Sequence, residues 1–146
     1  MPSVEAIEKF EIAANQEKCW SFLSNLQNIG SCIPGCESVS MTGETSAEFK
    51  VKVRVGYLSK TFLLRAKLVE VVPPRHLTFN AEGQDAEISG NLDLDGSHEK
   101  LTTLNYKIEI KPVSLTGKTA ISMLGKDIVR KQASEFASCV KSKLEN

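Results

Sequence analysis

The sequence predicts an α+β fold in which a curved antiparallel sheet wraps around one long C-terminal helix. Between residues 49 and 110, five consecutive segments alternate apolar and polar residues with period two, which is typical of strands with one dry face. Apolar residues then recur at helical spacing from about Thr116 to Leu144, a helix of roughly 43 Å. A helix of that length across one antiparallel sheet is the helix-grip arrangement.

The first two clear strands form a predicted hairpin. Apolar residues alternate with charged ones over Phe49–Val55 and again over Phe62–Leu68. The turn that joins them is predicted at Tyr57–Lys60, after Gly56. Pro73–Pro74 ends the second strand, because proline cannot donate a hydrogen bond to a ladder.

Five further strands complete a predicted sheet of about seven. Three of them alternate clearly, and the last two of these are separated by a predicted turn at Asp95–His98. The other two, at the N-terminus and just before Gly43, are weaker. The five segments are Ser3–Ile12, Glu37–Thr42, Leu77–Glu82, Glu87–Asp95 and Leu104–Ile110.

Two short helices are predicted after the first strand. Asn15 is a suitable N-cap for the first, and a second turn spans about Gln27–Cys32 and ends at Pro34–Gly35. In the long C-terminal helix, Gly125 costs about 1 kcal/mol relative to alanine. Two explanations for a glycine at this position are close backbone packing and room for a ligand. The first helix has apolar residues at helical spacing, namely Cys19, Phe22, Leu23 and Leu26.

Length and charge limit the classes of function. A chain of 146 residues predicts a single domain spanning residues 1–146. Eighteen basic residues balance eighteen acidic ones, so there is no basic field to attract nucleic acid. No apolar run approaches the roughly 18 residues of a membrane span, and a cytoplasmic protein is expected. In that compartment the four cysteines should be free thiols.

The sequence predicts no catalytic residue, no metal site and no cofactor. The close pair Cys32 and Cys36 has zinc-like spacing but lacks a second pair of ligands. His76 falls on the outer face of its strand and His98 in a turn, so neither is placed as a general base inside the sheet. Across the five clear strands the inner face offers only the hydroxyl of Tyr106, with that of Tyr57 as a second candidate. The protein is therefore predicted not to be an enzyme.

An apolar, curved inner face suits a hydrophobic ligand that is bound mainly by burial. Ordinary core packing gives the same alternation, so both interpretations stay open at this point. If a pocket exists, its predicted lining or entrance consists of Trp20, Phe49, Val51, Val53, Phe62, Leu64, Phe79, Leu92, Tyr106, Ile108, Ile121, Leu124 and Ile128.

Several motifs together resemble the carbon monoxide dehydrogenase G-subunit family. The most specific is Cys32–Val39, with the sequence CIPGCESV, preceded by CWSFL at Cys19–Leu23. The resemblance covers nearly the whole chain. It continues through Phe49–Val53 with Gly56, Leu68–Val71 with Pro73–Arg75, Gly90, Gly117–Lys118 and Leu124–Gly125.

The resemblance implies a fold and a function. The family belongs to the START-like (birch-pollen-allergen) superfamily, whose members hold lipids, sterols, quinones or polyketides between sheet and long helix. Proteins of the G-subunit family are associated with molybdenum hydroxylases such as carbon monoxide dehydrogenase, and the implied role is to recruit the enzyme to the membrane and bind a lipid or quinone. The family has no agreed catalytic residues to transfer. Pro34 and Gly35 match its motif as a tight turn at one mouth of the sheet.

Three hypotheses of function remain. The first is a non-catalytic carrier or accessory protein that buries a lipid or quinone and docks on a partner enzyme. Transient contact with the inner face of the membrane belongs to this hypothesis. The second is an enzyme of cyclase or hydratase type that uses a pocket tyrosine, Tyr106 or Tyr57. The third is a surface adaptor without a ligand.

Overall fold

A computed structural model describes residues 3–55 and 57–145 of the chain. Within these ranges seven strands and three helices follow one another as predicted, apart from small shifts of their ends. The elements are β1 (Val4–Ile12), α1 (Gln16–Leu23), α2 (Leu26–Cys32), β2 (Cys36–Met41), β3 (Ser46–Val55), β4 (Leu58–Val72), β5 (His76–Glu82), β6 (Ala86–His98), β7 (Leu101–Pro112) and α3 (Leu115–Leu144).

The strands form one antiparallel sheet in the order β1-β7-β6-β5-β4-β3-β2. Strands β2 to β7 therefore follow each other as a meander, and β1 closes the series by pairing with β7. The register places the predicted apolar residues on a common face: Phe49 lies opposite Leu64, and Val51 opposite Phe62. The predicted α+β fold with a seven-stranded sheet and a long C-terminal helix is confirmed.

Two predicted turns are displaced. β4 already begins at Leu58, so of the predicted turn residues Tyr57–Lys60 only Tyr57 lies in the turn, and Gly56 is outside the described residues. Asp95–His98 is not a turn but the end of β6, with a bulge between Asp95 and His98. Glycine and aspartate suggest a turn in a sequence, but here the bulge accommodates them within the strand.

Asparagine and serine side chains cap the helices. The Asn15 side chain accepts a hydrogen bond from the Lys18 amide at the start of α1, as predicted. Asn25 accepts bonds from the Gln27 and Asn28 amides at the start of α2. Ser114 accepts one from the Gly117 amide at the start of α3. These caps satisfy amides that have no partner within the helix.

α3 is broken at Gly125, which corrects the prediction of one continuous helix. Its φ of 67° and ψ of 171° lie in a region that is essentially restricted to glycine. No atom lies within 4 Å of the place where a Cβ would stand, so close packing does not explain this glycine. The break separates the first third of α3, residues 115–124, from the remainder.

One end of the molecule is packed solid. α1 closes this end, where the Gln16 side chain donates hydrogen bonds to the carbonyls of Pro74 and Leu94. The C-terminal part of α3 reaches the same end, and the Ala13 amide donates to the Glu145 carboxylate over 2.8 Å. The side chains buried here at 3% exposure or less include Ile12, Cys19, Leu23, Leu77, Leu94, Leu104, Val140 and Leu144.

A disulfide joins Cys32 of α2 to Cys139 of α3, with the two Cα atoms 5.4 Å apart. This corrects the expectation that all four cysteines are free thiols. That expectation came from the compartment, and the sequence gives no sign of this pairing because the two residues are 107 positions apart. Cys19 and Cys36 remain free.

Replacing Gly125 by alanine tests the break in α3. Gly125→Ala should lower the free energy of unfolding by about 1–3 kcal/mol, because an L-residue is strained at this φ and ψ. Urea denaturation followed by circular dichroism measures it. A gain of about 1 kcal/mol, as expected for Gly→Ala inside a continuous helix, would contradict the break.

Removing Cys139 tests the disulfide. Cys139→Ser should lower the free energy of unfolding by about 2–4 kcal/mol, because the bridge restricts a long loop of the unfolded chain. Cys36→Ser is the matched control and should change stability much less. Thiol titration of the unfolded, unreduced protein should find the two thiols of Cys19 and Cys36. Four thiols before reduction would refute the bridge.

Candidate functional site

An apolar cavity of about 180 Å³ lies between the inner face of the sheet and α3. α3 packs mainly along β1, with smaller contacts to β7, α1 and α2, so the inner faces of the middle strands are not covered by the helix backbone. Side chains from β3 to β7, from α2 and from α3 line the space. The described residues that line it include none that is charged.

Most of the predicted ligand-binding residues line this cavity. Trp20 does not: it is half-buried on α1 and packs against the core rather than the cavity. The side chain of Leu124 lies outside the described part of the chain. The predicted residues that line the cavity are Phe49, Val51, Val53, Phe62, Leu64, Phe79, Leu92, Tyr106, Ile108, Ile121 and Ile128.

The same strand faces change from solid core to cavity wall along their length. On β5, Leu77 is fully buried in the packed end, whereas Phe79 and Ala81, two and four residues later, line the cavity. On β7, Leu104 belongs to the core and Ile108 to the cavity. Phe79 and Ile108 are only partly buried, as expected for side chains that face empty space.

Two polar side chains interrupt the apolar lining, those of Tyr106 and Gln132. The Tyr106 ring packs against Phe136 of α3, with ring centroids 5.2 Å apart. Burial, with a smaller effect from Glu8, raises the pKa of the Tyr106 hydroxyl well above its ordinary value. The hydroxyl therefore stays protonated at neutral pH and can donate a hydrogen bond to a ligand.

Tyr57 does not contribute to the cavity, which corrects its place as a second candidate hydroxyl. It stands at the tip of the β3–β4 hairpin with 98% of its surface exposed. The alternation of residues cannot predict this, because Tyr57 lies in the turn, where alternation ends.

Several cavity residues were missed by the sequence analysis. Gln132 lies four residues after Ile128 and four before Phe136, on the apolar stripe of α3, so helical spacing alone could have identified it. Ile33 and Pro34, from the CIPGC segment, also line the cavity. The others are Leu26, Ile29, Ala66, Ala81, Ala86, Ile88, Ile110, Gly117, Val129, Ala133 and Phe136.

The end of the cavity away from α1 is framed by the β5–β6 turn. Asp85 in that turn accepts a hydrogen bond from the Ser114 hydroxyl over 2.8 Å, and its carboxylate is 3.6 Å from the Lys60 ammonium. The Asp85 carbonyl accepts from the Val113 amide. Gly117 lies so close to this carbonyl that a Cβ would clash with it. Asp85 thus connects the β3–β4 hairpin to the start of α3.

The described residues offer little acid, base or nucleophile chemistry in the cavity. His76 lies outside, where its ring contacts Asp93 and is 3.5 Å from Glu70. Burial raises the pKa of the free Cys19 and Cys36 thiols, which keeps them in the less reactive protonated form. Within the described ranges no group of three or more His, Cys, Asp or Glu could hold a metal ion.

None of the helices in the described ranges combines the length and the apolar character that crossing a membrane requires.

Comparison with known families gives one match over most of the chain. Residues 9–145 match the family described as the G subunit of carbon monoxide dehydrogenase (CoxG). A comparison with curated proteins found no match.

Solved structures share this fold at low sequence identity. A conserved protein from Geobacillus kaustophilus superposes with a TM-score of 0.80 at 21% identity, over 97% of this chain and 95% of that one. The Zhui aromatase/cyclase from Streptomyces sp. R1128 gives 0.73 at 17%, over 99% and 94%. A START superfamily protein from Mycobacterium smegmatis gives 0.73 at 10%, over 97% of each chain. These likenesses establish the START-like fold.

The buried Tyr106 hydroxyl predicts a dependence of stability on pH. Its pKa is raised on folding, so the stabilisation is complete below the unfolded pKa of about 10 and is lost as the pH rises above it. The free energy of unfolding should therefore fall above about pH 10, and fall less in Tyr106→Phe. Urea denaturation at a series of pH values measures both slopes, and equal slopes would contradict the burial of this hydroxyl.

Proposed function

The chain belongs to the carbon monoxide dehydrogenase G-subunit (CoxG) family, and from this membership and the apolar cavity we propose that it is a non-catalytic carrier of a hydrophobic ligand, a lipid or a quinone. The observation that carries the proposal is the uncharged lining. Apolar side chains surround the space on every element that borders it, and each buried methylene of a ligand would contribute about 0.8 kcal/mol.

The lining also restricts the polar part of the ligand. A charged headgroup would lose its hydration without gaining an opposite charge, at a large cost in free energy. A carbonyl or hydroxyl could instead accept a hydrogen bond from Tyr106 or bond the amide of Gln132. A largely apolar molecule with one or two neutral polar groups fits best, which includes quinones and uncharged lipids.

Membership of the family, rather than the cavity, supports the accessory role. We infer that the protein acts beside a molybdenum hydroxylase of the carbon monoxide dehydrogenase type, in the cytoplasm, with transient contact to the inner membrane face. In this role it supplies or withdraws a poorly soluble ligand that could not diffuse freely through water. Copurification with the hydroxylase would support the role.

The Tyr106 hydroxyl in the cavity favours one alternative, an enzyme of cyclase or hydratase type. The likeness to an aromatase/cyclase, at 17% identity, is a likeness of fold and carries no residue across. A single tyrosine with a raised pKa is a weak proton donor. Turnover of a polyketide that is lost in Tyr106→Phe would support the enzyme, whereas ligand binding without turnover supports the carrier.

Filling the cavity tests the proposal directly. Ala81 lines the cavity with 6% exposure, and the neighbouring Asn80 points to the outer face of the same strand. Ala81→Phe should abolish the fluorescence rise of Nile red, an uncharged apolar dye, because the new ring occupies the space. Asn80→Phe is the matched control and should leave dye uptake unchanged.

Circular dichroism of both variants verifies that they are folded. Dye uptake that survives Ala81→Phe in the folded protein would show that the dye binds elsewhere. The carrier proposal would then lose its principal support. Equal losses in both variants would mean that the dye binds in a second depression, which Asn80 and Ala81 both border, rather than in the cavity.

A further inference from the structure

The disulfide between Cys32 and Cys139 joins two elements of the cavity wall. Cys32 lies three residues after Ile29 on α2, and Cys139 lies three residues after Phe136 on α3. Residues three apart share one face of a helix, and both Ile29 and Phe136 line the cavity. Each sulfur therefore leaves its helix beside a cavity-lining side chain, and the bridge fixes the separation of α2 and α3 at this wall.

The other polar contact between the two helices is weak, whereas α2 is packed firmly on the sheet. The Lys143 ammonium donates a hydrogen bond over 3.2 Å to the Ser31 hydroxyl, and both residues are exposed, so water competes for this bond. A Cβ at Gly30 of α2 would clash with the Val39 side chain of β2. Opening of the bridge would therefore leave α2 on the sheet and free α3 to move.

The part of α3 that the bridge holds has a possible hinge at Gly125. The backbone of Gly125 is not helical, and no atom lies within 4 Å of the place where its Cβ would stand. Beyond the bridge, α3 is attached by the exposed hydrogen bond from the Ala13 amide to Glu145. The segment between Gly125 and Cys139 forms much of one cavity wall, through Ile128, Val129, Gln132, Ala133 and Phe136.

We propose that the Cys32–Cys139 bridge is a redox-active site that controls release of the ligand. The oxidised protein retains the ligand, and reduction by a dithiol protein lets residues 128–139 of α3 move away from α2 and open the cavity. Disulfides that form in the cytoplasm, the compartment of the proposed function, are usually transient or redox-sensing. The inference rests on the proposed carrier function and adds control of release to it.

Reduction is a two-electron thiol–disulfide exchange that begins at Cys139. Cys139 is half-buried, whereas Cys32 is only 4% exposed, so Cys139 is the more accessible sulfur. A thiolate of the reductant bonds to the Cys139 sulfur, and Cys32 leaves as a thiolate that takes a proton from water. The second thiolate of the reductant then attacks its partner sulfur and displaces the Cys139 thiolate, which is protonated. The dithiol leaves as a disulfide.

Release of Nile red from the oxidised and the reduced protein tests the proposal. Dithiothreitol, a small dithiol, should open the bridge in the folded protein, and alkylation followed by mass spectrometry should then count four thiols instead of two. Protein loaded with Nile red is mixed with an excess of phosphatidylcholine vesicles, which capture the released dye. The reduced protein should release the dye about tenfold faster, which corresponds to an opening that is about 1.4 kcal/mol easier.

Two variants separate the bridge from other effects of the reductant. Cys139→Ser should release the dye rapidly with and without dithiothreitol. Cys36→Ser keeps the bridge and should follow the unchanged protein in both states. Amide hydrogen exchange gives a second measurement that needs no ligand: reduction should accelerate exchange in residues 128–139 much more than in β5 and β6.

Three results would overturn the proposal: a bridge that dithiothreitol opens only in denaturant, loss of the fold on reduction as seen by circular dichroism, or equal release rates from the oxidised and reduced protein. Failure of Nile red to bind the oxidised protein would instead refute the carrier function, and the release step with it. Faster exchange of residues 128–139 on reduction would then still support redox control of α3, so the two failures are distinguishable.

Discussion

The attachment of α3 at both of its ends is the constraint on which the hollow interior depends. At the start, Asp85 accepts hydrogen bonds from Ser114 and Val113. Towards the other end, the disulfide ties Cys139 to α2, and Glu145 accepts from the Ala13 amide. Between these attachments the helix is interrupted at Gly125 and packs chiefly along β1. It therefore spans the sheet without collapsing onto the middle strands.

This arrangement divides one apolar face into two regions of different purpose. The region near α1 is filled by aliphatic side chains and supplies stability through burial. The other region keeps its apolar side chains partly exposed to an internal space, which forfeits packing contacts and has a cost in free energy. A molecule that enters the space can restore those contacts, and this is the physical basis for ligand binding here. Among the described residues no charged side chain lines the cavity, although Glu8 of β1 shares the inner face with its cross-strand partner Tyr106.

Much of this fold could be predicted from the sequence, because alternation and helical spacing report directly on which residues face inward. The strands, the N-cap of α1 at Asn15 and the apolar stripe of α3 follow from such local patterns. The division between core and cavity could not be predicted in this way, since Leu77 and Phe79 have the same alternation but different surroundings. The disulfide also escaped prediction, because it joins residues that only the folded chain brings together. Gln132 has the spacing of a cavity residue, but it was not predicted because only apolar residues were assigned to that face of the helix.

The central claim is that the interior takes up a hydrophobic molecule, and native mass spectrometry tests it most directly. The protein is purified, incubated with a membrane extract that contains lipids and quinones, and analysed before and after extraction with organic solvent. The account predicts a species heavier than 16.0 kDa by the mass of one uncharged apolar molecule, which the solvent removes. A protein that stays at its bare mass after incubation with the extract would contradict it.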